Sequence, residues 1–291
     1  GGSPRPLLTT VMDEATIDAG TTKDIAVLEN DSNPFPGEPL ELVSAQLTNG
    51  SGSVDVVGDK VVLTPDADFA GVLSASYTVE DRTGDPARRA VGEIRATVRG
   101  KPEAPSAPRI GEVGDGSVEL VFTAGDDNGA PITGYTVTAA TGGTVSQQCA
   151  STSCTITGLT NDTEYTFQVV ATNDVGDSPA SAPSAVARPD VRPEAPAVPS
   201  VTRGDGQLGV SWSAPENRGS ALQSYELEMQ AGGQTQSRTV EAATTELVWE
   251  GLTNGADHRF RVRASNLAED PSEWSGWSSP EHPAGPPKAL D

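Results

Sequence analysis

The stretch Gly158-Leu159-Thr160-Asn161-Asp162-Thr163-Glu164-Tyr165-Thr166-Phe167-Gln168-Val169-Val170-Ala171-Thr172-Asn173 returns one domain length later as Gly251-Leu252-Thr253-Asn254-Gly255-Ala256-Asp257-His258-Arg259-Phe260-Arg261-Val262-Arg263-Ala264-Ser265-Asn266. Each copy is a turn followed by strict alternation, with Phe167, Val169 and Ala171 in the first and Phe260, Val262 and Ala264 in the second on one side. A period of two marks a strand buried on one face. Working outward, Val118-Glu119-Leu120-Val121-Phe122 and Leu208-Gly209-Val210-Ser211-Trp212 supply an earlier strand ending on a large aromatic. Tyr135-Thr136-Val137 and Tyr225-Glu226-Leu227 supply another, so one all-β unit occurs twice.

The rest of the chain agrees with this reading. At 291 residues it exceeds one ordinary domain. Aromatics are 4 %, and 31 Gly and 23 Pro suit many short strands joined by tight turns, with helix nearly absent. Pro-rich stretches at Lys101-Pro102-Glu103-Ala104-Pro105-Ser106-Ala107-Pro108 and Arg188-Pro189-Asp190-Val191-Arg192-Pro193-Glu194-Ala195-Pro196 read as semi-rigid linkers. The expected architecture is all-β, three tandem β-sandwiches in an elongated row, with boundaries at 1–100, 101–189 and 190–291.

Over about residues 101–286 the repeated strands resemble fibronectin type III domains. The resemblance implies seven strands in two sheets, with a core aromatic at Phe122 or Trp212. It also places Tyr165 at the tyrosine corner, whose hydroxyl ties its strand to the preceding turn. The second copy has His258 there, so its corner is expected to be weaker or wetter. The opening module carries Thr16-Ile17-Asp18-Ala19-Gly20-Thr21, Ile25-Ala26-Val27-Leu28-Glu29-Asn30-Asp31, Val61-Val62-Leu63-Thr64-Pro65, Phe69-Ala70-Gly71 and Tyr77-Thr78-Val79-Glu80-Asp81. Over about residues 7–100 it resembles the immunoglobulin-like and cadherin-like repeats of bacterial surface adhesins.

The formal net charge of −22 is spread over all three segments, which disfavours nucleic acid and anionic membrane surfaces as partners. Basic proteins or divalent cations suit it better, and the same acidity keeps an exposed protein soluble. No segment approaches the ~20 apolar residues of a membrane span, and Gly1-Gly2-Ser3 lacks the features of a signal peptide. The chain is therefore expected to be a fragment whose export signal and anchor lie elsewhere. With two histidines in loop-like or edge positions, no nucleophile, base and orienting group assemble, so the segment reads as no enzyme and without a cofactor.

Candidate sites are few. Cys149 and Cys154 are the only cysteines and stand close enough to close a hairpin loop. A disulfide, with free thiols as the alternative, implies an oxidising compartment and removes at most ~2 kcal/mol of denatured-state entropy. Arg203-Gly204-Asp205 is the tripeptide that integrins recognise on protruding loops, but a Gly-rich hairpin turn accounts for it more simply. Asp13, Glu14, Asn30, Asp31, Glu80 and Asp81 lie near strand ends of the first module, where cadherin-like repeats gather carboxylates around calcium. Calcium needs about six to eight converging oxygens, and solvated turn residues with no metal are the simpler expectation.

The most distinctive motif is Trp274-Ser275-Gly276-Trp277-Ser278. Arg259, Arg261 and Arg263 recur at period two opposite Phe260 and Val262, and indole rings from the next strand would separate these mutually repelling guanidinium groups by stacking, each contact worth ~0.5–2 kcal/mol. The pattern resembles the Trp-Ser-any-Trp-Ser box of class I cytokine receptors, which implies mainly a stabilising ladder. The four-cysteine pattern of those receptors is absent. Trp249 beside this row enlarges the exposed aromatic cluster or, by its alternation position, belongs to the core.

The whole assembly resembles the large surface fibronectin type III proteins of bifidobacteria and related actinobacteria. That resemblance implies an extracellular, cell-surface, monomeric binder of a host protein, a cytokine such as tumour necrosis factor or a matrix protein, with Trp274, Ser275, Trp277, Ser278, Arg259, Arg261 and Arg263 as contact residues. The alternative is a passive spacer, or accessory modules of a larger surface protein or secreted carbohydrate-active enzyme.

Overall fold

The computed structural model describes residues 5–287, so Gly1-Gly2-Ser3 lies outside the described residues. Module 1 runs through β1 (Asp13–Asp18), β2 (Lys23–Ile25), β3 (Glu41–Asn49), β4 (Gly52–Val57), β5 (Lys60–Pro65), β6 (Gly71–Glu80) and β7 (Ala90–Arg99). Its sheets are ordered β1-β7-β6-β3 and β2-β5-β4, with β1 parallel to β7. Alternation along β5, β6 and β7 sends Val61, Leu63, Leu73, Tyr77, Val79 and Ile94 between the sheets, where each is all but inaccessible. The one helical element among the described residues is a 3-10 turn at Pro86–Arg88.

Module 2 contains β8 (Arg109–Gly114), β9 (Ser117–Val121), β10 (Gly134–Thr141), β11 (Ser146–Cys149), β12 (Ser153–Ile156) and β13 (Thr166–Thr172). Module 3 contains β14 (Ser200–Gly204), β15 (Gln207–Ser211), β16 (Ser224–Ala231), β17 (Gln234–Glu241), β18 (Glu246–Glu250) and β19 (Arg259–Ser265). The sheets are β12-β9-β8 against β11-β10-β13, and β14-β15-β18 against β17-β16-β19. The alternating residues fill the interior as their period requires: Phe167, Val169 and Ala171 in one copy, Phe260, Val262 and Ala264 in the other. Phe122 packs edge-on to Tyr135 at 5.0 Å, and Trp212 likewise to Tyr225 at 5.6 Å. Burying each such large side chain contributes ~1.5–3 kcal/mol.

Two segments of each copy follow a period of three instead of two. The first corrects the linker reading. Pro102, Pro105 and Pro108, like Pro193, Pro196 and Pro199, are buried, whereas the residues between them are exposed or half-buried. Proline holds φ near the polyproline value, where three residues complete a turn, so every third ring faces the core of the module that follows. Backbone bonds stitch the segments down, from Glu103 N to Asp126 O, Ser106 N to Thr123 O and Glu194 N to Glu216 O. These stretches are first strands in polyproline form, and little free linker remains.

The second is the last segment of each copy, where a seventh ladder strand is expected. Ser178, Ser181 and Ser184 donate their backbone N–H to the carbonyls of Ala171, Val169 and Phe167, stepping three residues on one side for two on the other. Ser272, Ser275 and Ser278 repeat this against Ala264, Val262 and Phe260. A regular ladder advances one for one, so six ladder strands per copy remain. Each serine hydroxyl accepts from the facing backbone N–H at 2.9 Å, the bond that the mismatched step would otherwise leave unmade.

Candidate functional site

The Trp-Ser-Gly-Trp-Ser segment lies along β19 on the outer face of module 3. The three-residue step that buries Ser272, Ser275 and Ser278 turns Trp274 and Trp277 outward over the arginines. Trp274 lies between Arg263 and Arg261, at 4.4 and 4.5 Å, and Trp277 between Arg261 and Arg259, at 4.5 and 4.7 Å. Across the sheet, β16 sets Glu226, Glu228 and Gln230 directly opposite Arg263, Arg261 and Arg259. Arg263 pairs with Glu226 at 2.6 Å and Arg261 with Glu228 at 2.7 Å, while Arg259 Nε donates to Gln230 Oε1 at 2.6 Å. The ladder is thus a half-buried stack of alternating cations and rings, with two of its three charges matched by carboxylates.

Every ladder residue expected from the sequence is therefore in one place. Ser275 and Ser278 sit underneath, bonded to the backbone at Val262 and Phe260. Trp249 is not part of the cluster: it is 1 % exposed, packed on Phe260 in the core, with Arg238 of β17 over its ring at 4.2 Å. Sequence reasoning missed Glu226, Glu228, Gln230 and the third serine, Ser272. The available signal was the spacing Ser272-Ser275-Ser278, matched by Ser178-Ser181-Ser184.

The other candidates resolve differently. Cys149 and Cys154 form a disulfide with Cα atoms 5.9 Å apart. They do not close a hairpin loop, because β11 and β12 belong to opposite sheets and the bond crosses the sandwich edge. Gly204-Asp205-Gly206 is the β14–β15 turn and repeats Gly114-Asp115-Gly116 of module 2, with Gly206 and Gly116 at φ 66° and 58°. Asp205 accepts from Asn254 at 2.8 Å and Arg203 pairs with Glu281, so both charged ends of the tripeptide are engaged. Tyr165 Oη accepts from Thr160 N at 3.0 Å, as a tyrosine corner should, whereas His258 is 6 % exposed and its Nδ1 has no partner among the described residues.

In module 1 Asp13, Asp31, Glu80 and Asp81 are withdrawn from solvent, contrary to the expectation of solvated turn residues, whereas Asn30 is exposed as expected. Asp13 is buried and accepts from Asn30, and Asp31 receives the Tyr77 hydroxyl and the Val11 N–H. Burial raises both carboxyls, and for Asp13 the neighbouring Asp31 adds to the rise. Asp81 is buried against Arg88 and Thr83, whose hydrogen bonds hold its carboxyl down at about 2, and Glu80 pairs with Arg89. Glu14 is exposed. Among the described residues no group of three or more metal-binding side chains converges, and no helix is long and apolar enough to cross a membrane.

The fibronectin type III domain family model matches residues 103–187 and 194–281, and the bacterial Ig domain model matches residues 5–92. Human Contactin-4 is 30 % identical over 184 residues, 57 % of this chain and 17 % of that protein. Neurofascin of Gallus gallus is 26 % identical over 218 residues, 67 % of this chain and 15 % of that protein. The chain thus spans a small part of the length of these relatives. The crystal structure of the chicken CNTN1 FN1-FN3 domains aligns with 85 % of this chain and all of that one, at 15 % identity and a TM-score of 0.33.

Proposed function

The chain belongs to the fibronectin type III family and carries a bacterial immunoglobulin-like domain ahead of its pair, and from this premise we propose that it is a non-catalytic, extracellular binding segment of a bacterial surface protein that contacts a host protein. A cytokine such as tumour necrosis factor and matrix proteins are the partners to test first. The contact region is the outer face of module 3 together with the junction that precedes it, around Trp274, Trp277, Arg259, Arg261 and Arg263.

One observation carries this reading. Module 2 closes the same sandwich edge with Ala180 and Pro183 over Thr166, Gln168 and Val170, on the same serine ladder and with no indole or guanidinium group. The edge can therefore be closed without the ladder, and the half-exposed Trp and Arg surface of module 3 is additional. Trp and Arg are the side chains that most often dominate protein interfaces. The spacer reading is supported by a different observation: each indole already lies between two guanidinium groups, and each guanidinium already has a hydrogen-bond acceptor.

Immobilised chain exposed to a panel of host cytokines and matrix proteins separates the two. Selective binding that is lost in a still-folded Trp274→Ala/Trp277→Ala variant supports the ladder as the contact. Loss in Leu267→Glu alone moves the contact to the junction, where Leu267 is 54 % exposed. No binding to any member favours the spacer.

A further inference from the structure

We propose that modules 2 and 3 are locked into one rigid body by an electrostatic clasp at their junction, which opens into a hinge when its charged partners are removed. The free chain here is very short. Ala187 is still paired with Tyr165 in module 2, while Asn266 Nδ2 of module 3 already grips the carbonyl of Val191 at 2.7 Å. Asp162 N of module 2 also donates to the Pro189 carbonyl at 2.8 Å, so Asp190 alone lies between the last backbone tie to module 2 and the first bond to module 3.

Two arginines bridge the modules. Arg188 sits on Asp162 of module 2 at 3.0 Å and on Asp190 at 2.8 Å, and its other terminal nitrogen donates to the carbonyl of Leu267 in module 3 at 3.2 Å. Asp190 is fixed in turn by Ser220 of module 3, from its N–H at 2.7 Å and its hydroxyl at 2.6 Å. The same hydroxyl accepts the Leu267 N–H, so one connected network runs from Asp162 to Leu267. Arg218 reaches back from module 3 to Asp115 of module 2 at 3.0 Å, and its carbonyl accepts from Asn161 at 2.9 Å.

The two halves differ in exposure. The Asp190 side chain is 6 % exposed and that of Arg188 29 %, whereas Arg218 and Asp115 are 58 % and 41 % exposed. Salt weakens exposed pairs first, since the screening length falls from about 10 Å at 0.1 M to about 3 Å at 1 M. The Arg218 arm therefore opens first, and the Arg188 arm needs its partners removed.

The junction between modules 1 and 2 is an internal control. It uses the equivalent asparagine, with Asn173 Nδ2 on the carbonyl of Gly100 at 2.8 Å, and a backbone bond from Gly100 N to Asn128 O at 2.9 Å. Among the described residues no direct ion pair crosses it, although Asp174 of module 2 lies near enough to Arg99 of module 1 to help hold its charge. The clasp belongs to the second junction.

Residual dipolar couplings of the full chain, aligned at 0.1 M salt, test this directly. Modules 2 and 3 of the unaltered chain are expected to fit one alignment tensor, and Arg188→Ala/Arg218→Ala is expected to lose that common fit. Asp115→Asn/Asp162→Asn removes the acidic partners on the module 2 side with almost no change of shape, and decides the matter if the arginine variant misfolds. The relation of module 1 to module 2 should stay unchanged throughout. Separate tensors in the unaltered chain, or a common fit that survives in a folded variant, overturn the clasp.

Discussion

Modules 2 and 3 close the same edge with the same three serines, and they differ in what lies above it. In module 2 the positions over β13 hold Ala180 and Pro183, and the strand itself shows Thr166, Gln168 and Val170. In module 3 they hold Trp274 and Trp277 over three arginines, which Glu226, Glu228 and Gln230 anchor from the other side. The lesson is a division of labour. Hydroxyls satisfy the backbone in both copies, and the aromatic and charged layer is a separate addition that only one copy carries.

The opposite trade occurs at the other edge. Cys149 pairs with Tyr135 across the β10–β11 ladder, and Val240 pairs with Tyr225 in the matching place. Leu247, opposite Val210, stands where Cys154 stands opposite Leu120. Module 2 therefore uses a covalent bond where module 3 uses an apolar pair packed on the core.

The largest expected effect comes from stripping the added layer. Trp274→Ala/Trp277→Ala removes four ring–cation contacts and should destabilise module 3 by about 2–4 kcal/mol, lowering its melting temperature by roughly 10–20 °C, as scanning calorimetry can read. Placing tryptophans at Ala180 and Pro183 of module 2 without the arginines should gain nothing. A gain there would mean that the rings act by area alone.

Next is the edge exchange. Cys149→Ser/Cys154→Ser should cost module 2 up to ~2 kcal/mol, because the closed loop is short, and Cys149→Val/Cys154→Leu should recover part of it. Denaturant midpoints at constant m-value distinguish the two, and equal losses would show that the apolar pair is no substitute. Ser181→Ala and Ser275→Ala each strand a buried backbone N–H and should cost about 1–2 kcal/mol in either module. A markedly larger loss in module 3 would make the ladder dependent on the serines beneath it.

The corner residues give a smaller effect. Tyr165→Phe removes the bond to Thr160 N and should cost about 1 kcal/mol, and His258→Tyr should stabilise module 3 by a similar amount if the ring reaches Thr253 N, the matching turn position. The least change is expected from Trp212→Phe. It gives up some buried area but also removes an indole N–H that has no partner among the described residues, so unfolding should shift by less than ~1 kcal/mol.

The period-two strands were legible because burial on one face leaves its mark at every second residue, as in Phe167-Val169-Ala171. The arginine row was legible for the same reason, and with the two tryptophans it indicated the stack. The period-three segments were not. Prolines at 102, 105 and 108 look like linker because proline is a poor ladder residue, and Ser178, Ser181 and Ser184 look like low complexity. Their burial depends on an extended backbone that the ladder pattern does not describe. Nor did Cys149 and Cys154 reveal that their strands lie in opposite sheets, since so short a connection usually means a hairpin. Asp13 and Asp31 were legible as strand-end carboxylates, but not their withdrawal from solvent or the Tyr77 hydroxyl on Asp31, which comes from a strand far along the chain.

All four tryptophans of the chain, Trp212, Trp249, Trp274 and Trp277, fall in module 3. Indole emission excited at the red edge therefore reports on that module alone, while the tyrosines Tyr77, Tyr135 and Tyr165 report on the other two. Two of the four fluorophores, Trp212 and Trp249, are buried in the core and two, Trp274 and Trp277, lie half-exposed in the ladder, so loss of the ladder and loss of the core should leave different spectral signatures. The chain carries its own optical labels, and the order in which its modules melt can be followed without attaching a dye.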